Sequence, residues 1–189
     1  MKIGILSIQG GVIEHINHIK ALGHEALEVK KSKDLNDIDG LILPGGESTT
    51  IGKLLRDMSI LGPLKEKISS GLPVWGTCAG MILLAKSIEN DDRRHIQAMD
   101  ISVKRNAYGR QLDSFVVDHV IQGVSDEPIP LVFIRAPYIV KTGENVEILH
   151  RVNDSIVAAK QDNILVTSFH PELSNNLEFH RYFVSMCQK

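Results

Sequence analysis

Apolar residues in the first half of the chain fall in short continuous runs, separated by stretches in which they recur at helical spacing. Lys2 to Ile8 reads as a buried strand, and the glycines at 10 and 11 make a turn. Val12, Ile16, Ile19 and Leu22 then line one face of a helix that Gly23 ends. His24 to Val29 and Ile38 to Leu43 are a second and a third strand, the latter broken by Pro44-Gly45-Gly46. Thr49 to Arg56 and Leu64 to Ser69 read as helical, Gly71-Leu72-Pro73 leads into a strand before Cys78, and Ala79 to Lys86 reads as the next helix. Strands alternating with helices pair in parallel through right-handed crossovers.

The pattern changes after Ala85. Glu89 to Arg94 is a charge cluster that reads as a solvated loop, and short strands follow. They are predicted at Ile101 to Lys104, Ser114 to Val117, Leu131 to Ile134, Val146 to Val152, Ser155 to Lys160 and Ile164 to Phe169. Asn153-Asp154 and Asp162-Asn163 are hairpin turns, and a helix from Asn175 to Cys187 closes the chain. The expected fold is α/β in three layers, with a mostly parallel central sheet, flanking helices and additional antiparallel strands in the C-terminal half. With no repeat or linker, residues 1–189 are expected to form one domain.

Composition narrows the partners. Lys and Arg total 21 against 23 Asp and Glu, a net charge of -2 with signs interspersed, so there is no basic field for nucleic acid and no polybasic segment for a membrane surface. No run approaches the roughly 18 apolar residues of a membrane helix. The opening run lacks a small-residue cleavage site, and the two cysteines, Cys78 and Cys187, suit a reducing compartment, so a cytoplasmic protein is expected.

Candidate chemistry centres on Gly76-Thr77-Cys78-Ala79-Gly80, the turn between a predicted strand and a predicted helix. A strand that reverses directly into a helix needs small residues around its apex, as in the G-x-S-x-G elbow of serine hydrolases, and here the apex is a thiol at a helix N-terminus. Cysteine nucleophiles need a base, and the base needs a third group to hold its ring. His170-Pro171-Glu172 follows a predicted strand; Pro171 is expected to force an extended exit, and residues two apart in extended chain face the same side, so Glu172 can support the His170 imidazole.

The other histidines are read as bystanders. His15 and His18 lie on a polar helix face without the H-E-x-x-H order, and His95, His119, His150 and His180 have no organised companions. No metal site is expected, and Cys187 reads as a packing residue. Pro44-Gly45-Gly46-Glu47-Ser48-Thr49-Thr50 fails as a phosphate loop, because five residues separate Gly46 from Gly52 and Leu54 stands where a Ser or Thr would bind magnesium. It does offer backbone N–H groups at a strand end, so an oxyanion hole from Gly46 and Ala79 is expected.

The Cys78 turn, the Pro44 to Thr49 loop and His170-Pro171-Glu172 together resemble the class I, or triad, glutamine amidotransferases, whose fold is flavodoxin-like. Gln9-Gly10, Arg105-Asn106, Gly109-Arg110-Gln111, Asp113-Ser114-Phe115 and Phe133 to Pro137 look like the glutaminase subunits of pyridoxal 5′-phosphate synthases, and the likeness runs essentially end to end. Gly11 and Ile13 stand where small and basic residues are more usual, and Tyr138 where histidine commonly follows Ala-Pro. These departures concern the partner interface and the pocket wall rather than the triad.

The resemblance implies hydrolysis of L-glutamine to glutamate and ammonia through a γ-glutamyl thioester, with Cys78 as nucleophile, His170 as acid and base and Glu172 as its support. It implies that Gly46, Glu47, Ser48, Arg105, Ile134 and Arg135 bind glutamine, and that no cofactor is needed. It also implies a (β/α)8-barrel synthase subunit as partner in a large hetero-oligomer, on whose contact glutaminase activity depends. The same chemistry for another acceptor, as in imidazole glycerol phosphate synthase, is the nearest alternative, and the segment from Arg105 to Phe115 argues against it. A non-catalytic binding module of the same fold is the other.

Overall fold

The computed structural model describes residues 1–105 and 114–188. In chain order the elements are β1 (Lys2–Leu6), α1 (Val12–Ala21), β2 (Glu25–Val29), β3 (Gly40–Leu43), α2 (Ser48–Asp57), α3 (Leu61–Ser69), β4 (Val74–Thr77), α4 (Ala79–Leu84) and β5 (Ala85–Ile88). They continue as β6 (Met99–Lys104), β7 (Ser114–Ile121), β8 (Ser125–Ile134), β9 (Tyr138–Thr142), β10 (Glu147–Val152), β11 (Ser155–Gln161), β12 (Ile164–Thr167) and α5 (Glu178–Met186). Asn106, Gly109, Arg110, Gln111 and Asp113 lie outside the described residues.

The central sheet runs β2-β1-β3-β4-β12-β11-β9-β6-β5, with β10 added on β11. β2, β1, β3, β4 and β12 pair in parallel with one another, whereas β11 pairs antiparallel with β12, β9 and β10. β7 and β8 form a separate antiparallel ribbon. β1 to β4 make the predicted parallel half, which β12 from the C-terminal half extends, and β9, β10 and β11 supply the expected antiparallel strands, while β5 and β6 pair in parallel at the far edge.

Alternation within the buried strands divides the core between the two faces of the sheet. Leu41 and Leu43 of β3 join Ile51, Leu55, Leu64 and Ile68 from α2 and α3 on one side. Ile42, with Ile3, Ile5 and Trp75, packs against Ile16 and Ile19 of α1 and Phe179 and Phe183 of α5 on the other. Fully buried parallel strands read as continuous apolar runs because both faces are covered, and this made them legible.

Several predicted elements are corrected. The helix after Cys78 stops at Leu84, because Ala85–Ile88 continues as β5, paired with β6, where an unbroken helical pattern had been read to Lys86. β9 was not predicted; a five-residue strand with one fully buried residue gives too weak a pattern. Asn153 (φ 47°) and Asp154 (φ 64°) occupy the left-handed region that a two-residue hairpin turn requires, as expected from the sequence.

Candidate active site

Parallel pairing brings the carboxyl ends of β1, β3, β4 and β12 to one edge, with Leu43 opposite Gly76 and Thr167 opposite Thr77. Ligands of open α/β sheets bind outside this edge. The loops that leave it carry Gln9, the Gly45-Gly46 pair, Cys78 and His170.

Cys78 sits between β4 and α4 with φ 47° and ψ -100°, a backbone conformation costing on the order of 1–3 kcal/mol for a residue with a side chain. The strain is tolerated because its neighbours fix it. The Cys78 N–H donates to the Thr167 carbonyl at 2.8 Å, and the Cys78 carbonyl accepts from the Met81 N–H at 3.1 Å. A Cβ on Gly76 would overlap the Gly80 carbonyl, and one on Gly80 would overlap the Leu43 carbonyl, so both flanking glycines are required by close backbone approach. α4 has only six residues, so the apex rests less on a helix dipole than a helix to Lys86 would allow.

His170 leaves β12 and is anchored by donation from its N–H to the Val132 carbonyl of β8 at 2.8 Å. The chain does not remain extended after it. Pro171–Leu173 forms a 3₁₀ turn, with proline at its start, and this turn rather than strand alternation brings Glu172 back to the ring. His170 Nδ1 lies 2.8 Å from Glu172 Oε1, and the ring lines the same cavity as Cys78. Burial pushes the His170 imidazolium down, but the Cys78 sulfur and the Glu172 carboxylate, which both favour the protonated ring, outweigh it and pull the ring up to about 10. Glu172 is pushed up by burial, yet His15 and His170 together hold it below the ordinary carboxylate range.

Gly46, Glu47, Ser48, Cys78, Ala79, Ile82, Arg105, Ile134, Arg135, Pro137 and His170 line one cavity of about 440 Å³. Except for Glu172, which supports His170 from behind, every residue assigned to the site from sequence opens onto it. The Glu47 carboxylate is committed elsewhere, since it caps α2 by accepting from the Thr49 and Thr50 N–H groups and pairs with Arg105 at 3.2 Å. Its backbone is what remains for a ligand. Gln9 fixes that backbone by accepting the Glu47 N–H at 3.0 Å.

The charge cluster is not simply a solvated loop. Asp91 accepts from Arg93 at 2.6 and 2.9 Å and lies 3.4 Å from Arg105, while Arg93 also donates to Thr49 at 2.8 Å. Hydrogen bonds from Arg93 hold Asp91 well below the usual carboxylate range. With Arg93 neutralising Asp91, the longer contacts of Arg105 leave its guanidinium at the pocket wall.

The histidines read as bystanders need the larger correction. His15 and His180 are fully buried, and His15 Nε2 stands 3.5 Å from Glu172 Oε2. Helical spacing alone could not reveal this, because the partner lies 157 positions away and the contact depends on α1 packing beneath the 3₁₀ turn. His95 is also buried, against Gly52.

The site thus joins a cysteine at a strained strand-to-helix apex to a histidine and a glutamate from a neighbouring strand end, on a mostly parallel sheet shared with glutamine amidotransferases of the class I fold. A crystal structure of a glutamine amidotransferase superposes with a TM-score of 0.94 at 42% identity, covering 99% of both chains. Pyridoxal 5′-phosphate synthase subunit PdxT of Clostridium beijerinckii is 62% identical over 97% of each chain, and that of Clostridium kluyveri is 58% identical over 100% of each. The SNO glutamine amidotransferase family matches residues 5–189, and this chain belongs to it.

Proposed function

We propose that this chain, as one glutaminase domain, hydrolyses L-glutamine through Cys78, His170 and Glu172 and supplies the ammonia to a partner synthase that makes pyridoxal 5′-phosphate. As a member of the glutamine amidotransferase family it is an enzyme acting on a carboxamide. One observation carries the assignment of residues: the His170 ring is held by Glu172 at Nδ1, which leaves its Nε2 side for Cys78, a residue lining the same cavity.

The Cys78 sulfur attacks the side-chain carboxamide carbon while His170 holds the thiol proton. The N–H groups of Gly46 and Ala79 stabilise the oxyanion, and His170 returns the proton to the departing nitrogen, which leaves as ammonia. Water, deprotonated by His170, then cleaves the γ-glutamyl thioester and frees glutamate and the thiol. Gly46, Ser48, the Glu47 backbone, Arg105, Ile134 and Arg135 hold glutamine, and a guanidinium suits its α-carboxylate.

The Clostridium relatives are named as subunits of pyridoxal 5′-phosphate synthase, which supports a synthase subunit as acceptor of the ammonia. We assign to that partner a (β/α)8 barrel within a large hetero-oligomer, and to the reaction no cofactor in this chain. Two free thiols, Cys78 and Cys187, fit a reducing cytoplasm, and no helix among the described residues is long and apolar enough to cross a membrane.

Ammonia release from glutamine, measured with and without the synthase subunit, tests the reading. Cys78→Ala is expected to abolish release in the complex, and iodoacetamide is expected to label Cys78 unless glutamine protects it. Release unaffected by Cys78→Ala would overturn the assignment.

A further inference from the structure

We propose that His15 is a positioning residue of this reaction, holding the second carboxylate oxygen of Glu172 so that the first stays on His170. The inference rests on the triad reading above and extends it into the helix behind the site.

His15 projects from α1 into the core with no exposed surface. Its Nε2 lies 3.5 Å from Glu172 Oε2, and its Nδ1 lies 2.8 Å from His180 Nε2. Neither His15 Nε2 nor Glu172 Oε2 has a hydrogen-bond partner among the described residues, so the two buried atoms face each other across a gap slightly too long for a full hydrogen bond.

The protonation state follows from the surroundings. Burial pushes His15 down to about 4; Glu172 and Glu14 oppose that, and His18 and His170 add to it. The neutral ring carries one N–H. Facing a carboxylate, that proton belongs on Nε2, and bare Nδ1 then accepts from His180 Nε2–H. His180, also pushed down by burial, is left with an unprotonated Nδ1, and that atom has no partner among the described residues. The two rings thus form a chain of donors that ends on Glu172.

Packing fixes the donor. The His15 ring meets Trp75 edge-on at 5.7 Å, and His180 stacks on His18 at 4.5 Å. His18 lies 2.8 Å from the Glu14 carbonyl and 2.9 Å from the Ser174 carbonyl, tying α1 to the turn that carries Glu172. A neutral donor suits this place, because a second cation at Oε2 would compete with the His170 imidazolium for the carboxylate charge.

Gln and Asn separate the two ends of the His15 ring, since the Gln amide nitrogen reaches the position of Nε2 and the Asn amide stops at that of Nδ1. Glutamine hydrolysis is measured in the full chain with its synthase partner. His15→Asn is expected to lower kcat about 10-fold to 100-fold with KM within about 2-fold, and His15→Gln to stay within about 3-fold of wild type. Equal loss in both variants, or wild-type kcat in His15→Asn while Glu172→Gln is impaired, would overturn the proposal. A Glu172→Gln variant at the wild-type rate would instead remove the triad reading, and this inference with it. Nitrogen NMR of histidine-labelled wild-type protein needs no variant to fold. It should find His15 protonated on Nε2, and a proton on Nδ1 with Nε2 bare refutes the donor role.

Discussion

Gly45 lies against the ring of His170, so closely that a Cβ built on it would overlap Cε1. The base proposed for the reaction is therefore seated on bare backbone, between the Gly45 peptide on one side and the Glu172 carboxylate 2.8 Å away at Nδ1. Gly45→Ala is expected to displace the ring and lower kcat by about 100-fold, the cost of misplacing a reacting group by about 1 Å. Steady-state kinetics, with thermal unfolding to confirm the fold, decide it; wild-type kcat in Gly45→Ala would show that the ring is free to move.

The pH dependence follows from His170 at about 10. Departure of ammonia needs a protonated ring, and an isolated imidazole would lose its proton near 6.5. The basic limb of kcat/KM should therefore fall close to pH 10. In Glu172→Gln, which removes one of the two groups that raise the ring, the limb should move toward neutrality. A limb near 7 in the wild type would contradict this.

Stability should respond in the opposite direction. His15 is neutral when folded until about pH 4 but takes up a proton near 6.5 when unfolded, so acid favours the unfolded chain between these values. Fully developed, the loss is about 3 kcal/mol for this residue. Lowered Glu172 adds a further loss as pH falls below its ordinary range, while raised His170 contributes stability below pH 6.5 that disappears toward pH 10. Urea unfolding at pH 7 and pH 4.5 measures the fall, which His15→Gln should flatten.

Arg105 stands at the pocket wall, 3.2 Å from Glu47 and 3.4 Å from Asp91. Arg105→Ala removes a cation from the proposed glutamine site without touching the proposed triad, so KM should rise by about 10-fold or more while kcat changes little. A large fall in kcat at constant KM would place the arginine in the chemical step instead.

The two thiols should differ in reactivity. Cys187, at the end of α5, donates to the Phe183 carbonyl at 3.3 Å, and burial with the Asp39 charge pushes it up to about 12. Intact-mass measurement after iodoacetamide at pH 8 should find one label in the native wild type and none in native Cys78→Ala.

The amino-acid sequence made the parallel half of the fold readable because strands buried on both faces are written as apolar runs, and Gly76 and Gly80 marked the elbow because only glycine fits there. It placed Cys78, His170, Gly46, Arg105 and Arg135 as candidates, and all of them border one cavity. Sequence order could not show that Asp91 and Arg93 lock together beside Arg105, or that Pro171 starts a turn rather than an extended exit. Least of all could it show His15 behind Glu172. Local spacing reports which face of an element is apolar, but whether a buried polar atom meets a partner depends on how α1, α5 and the turn after β12 are packed against each other, and that was settled only in three dimensions.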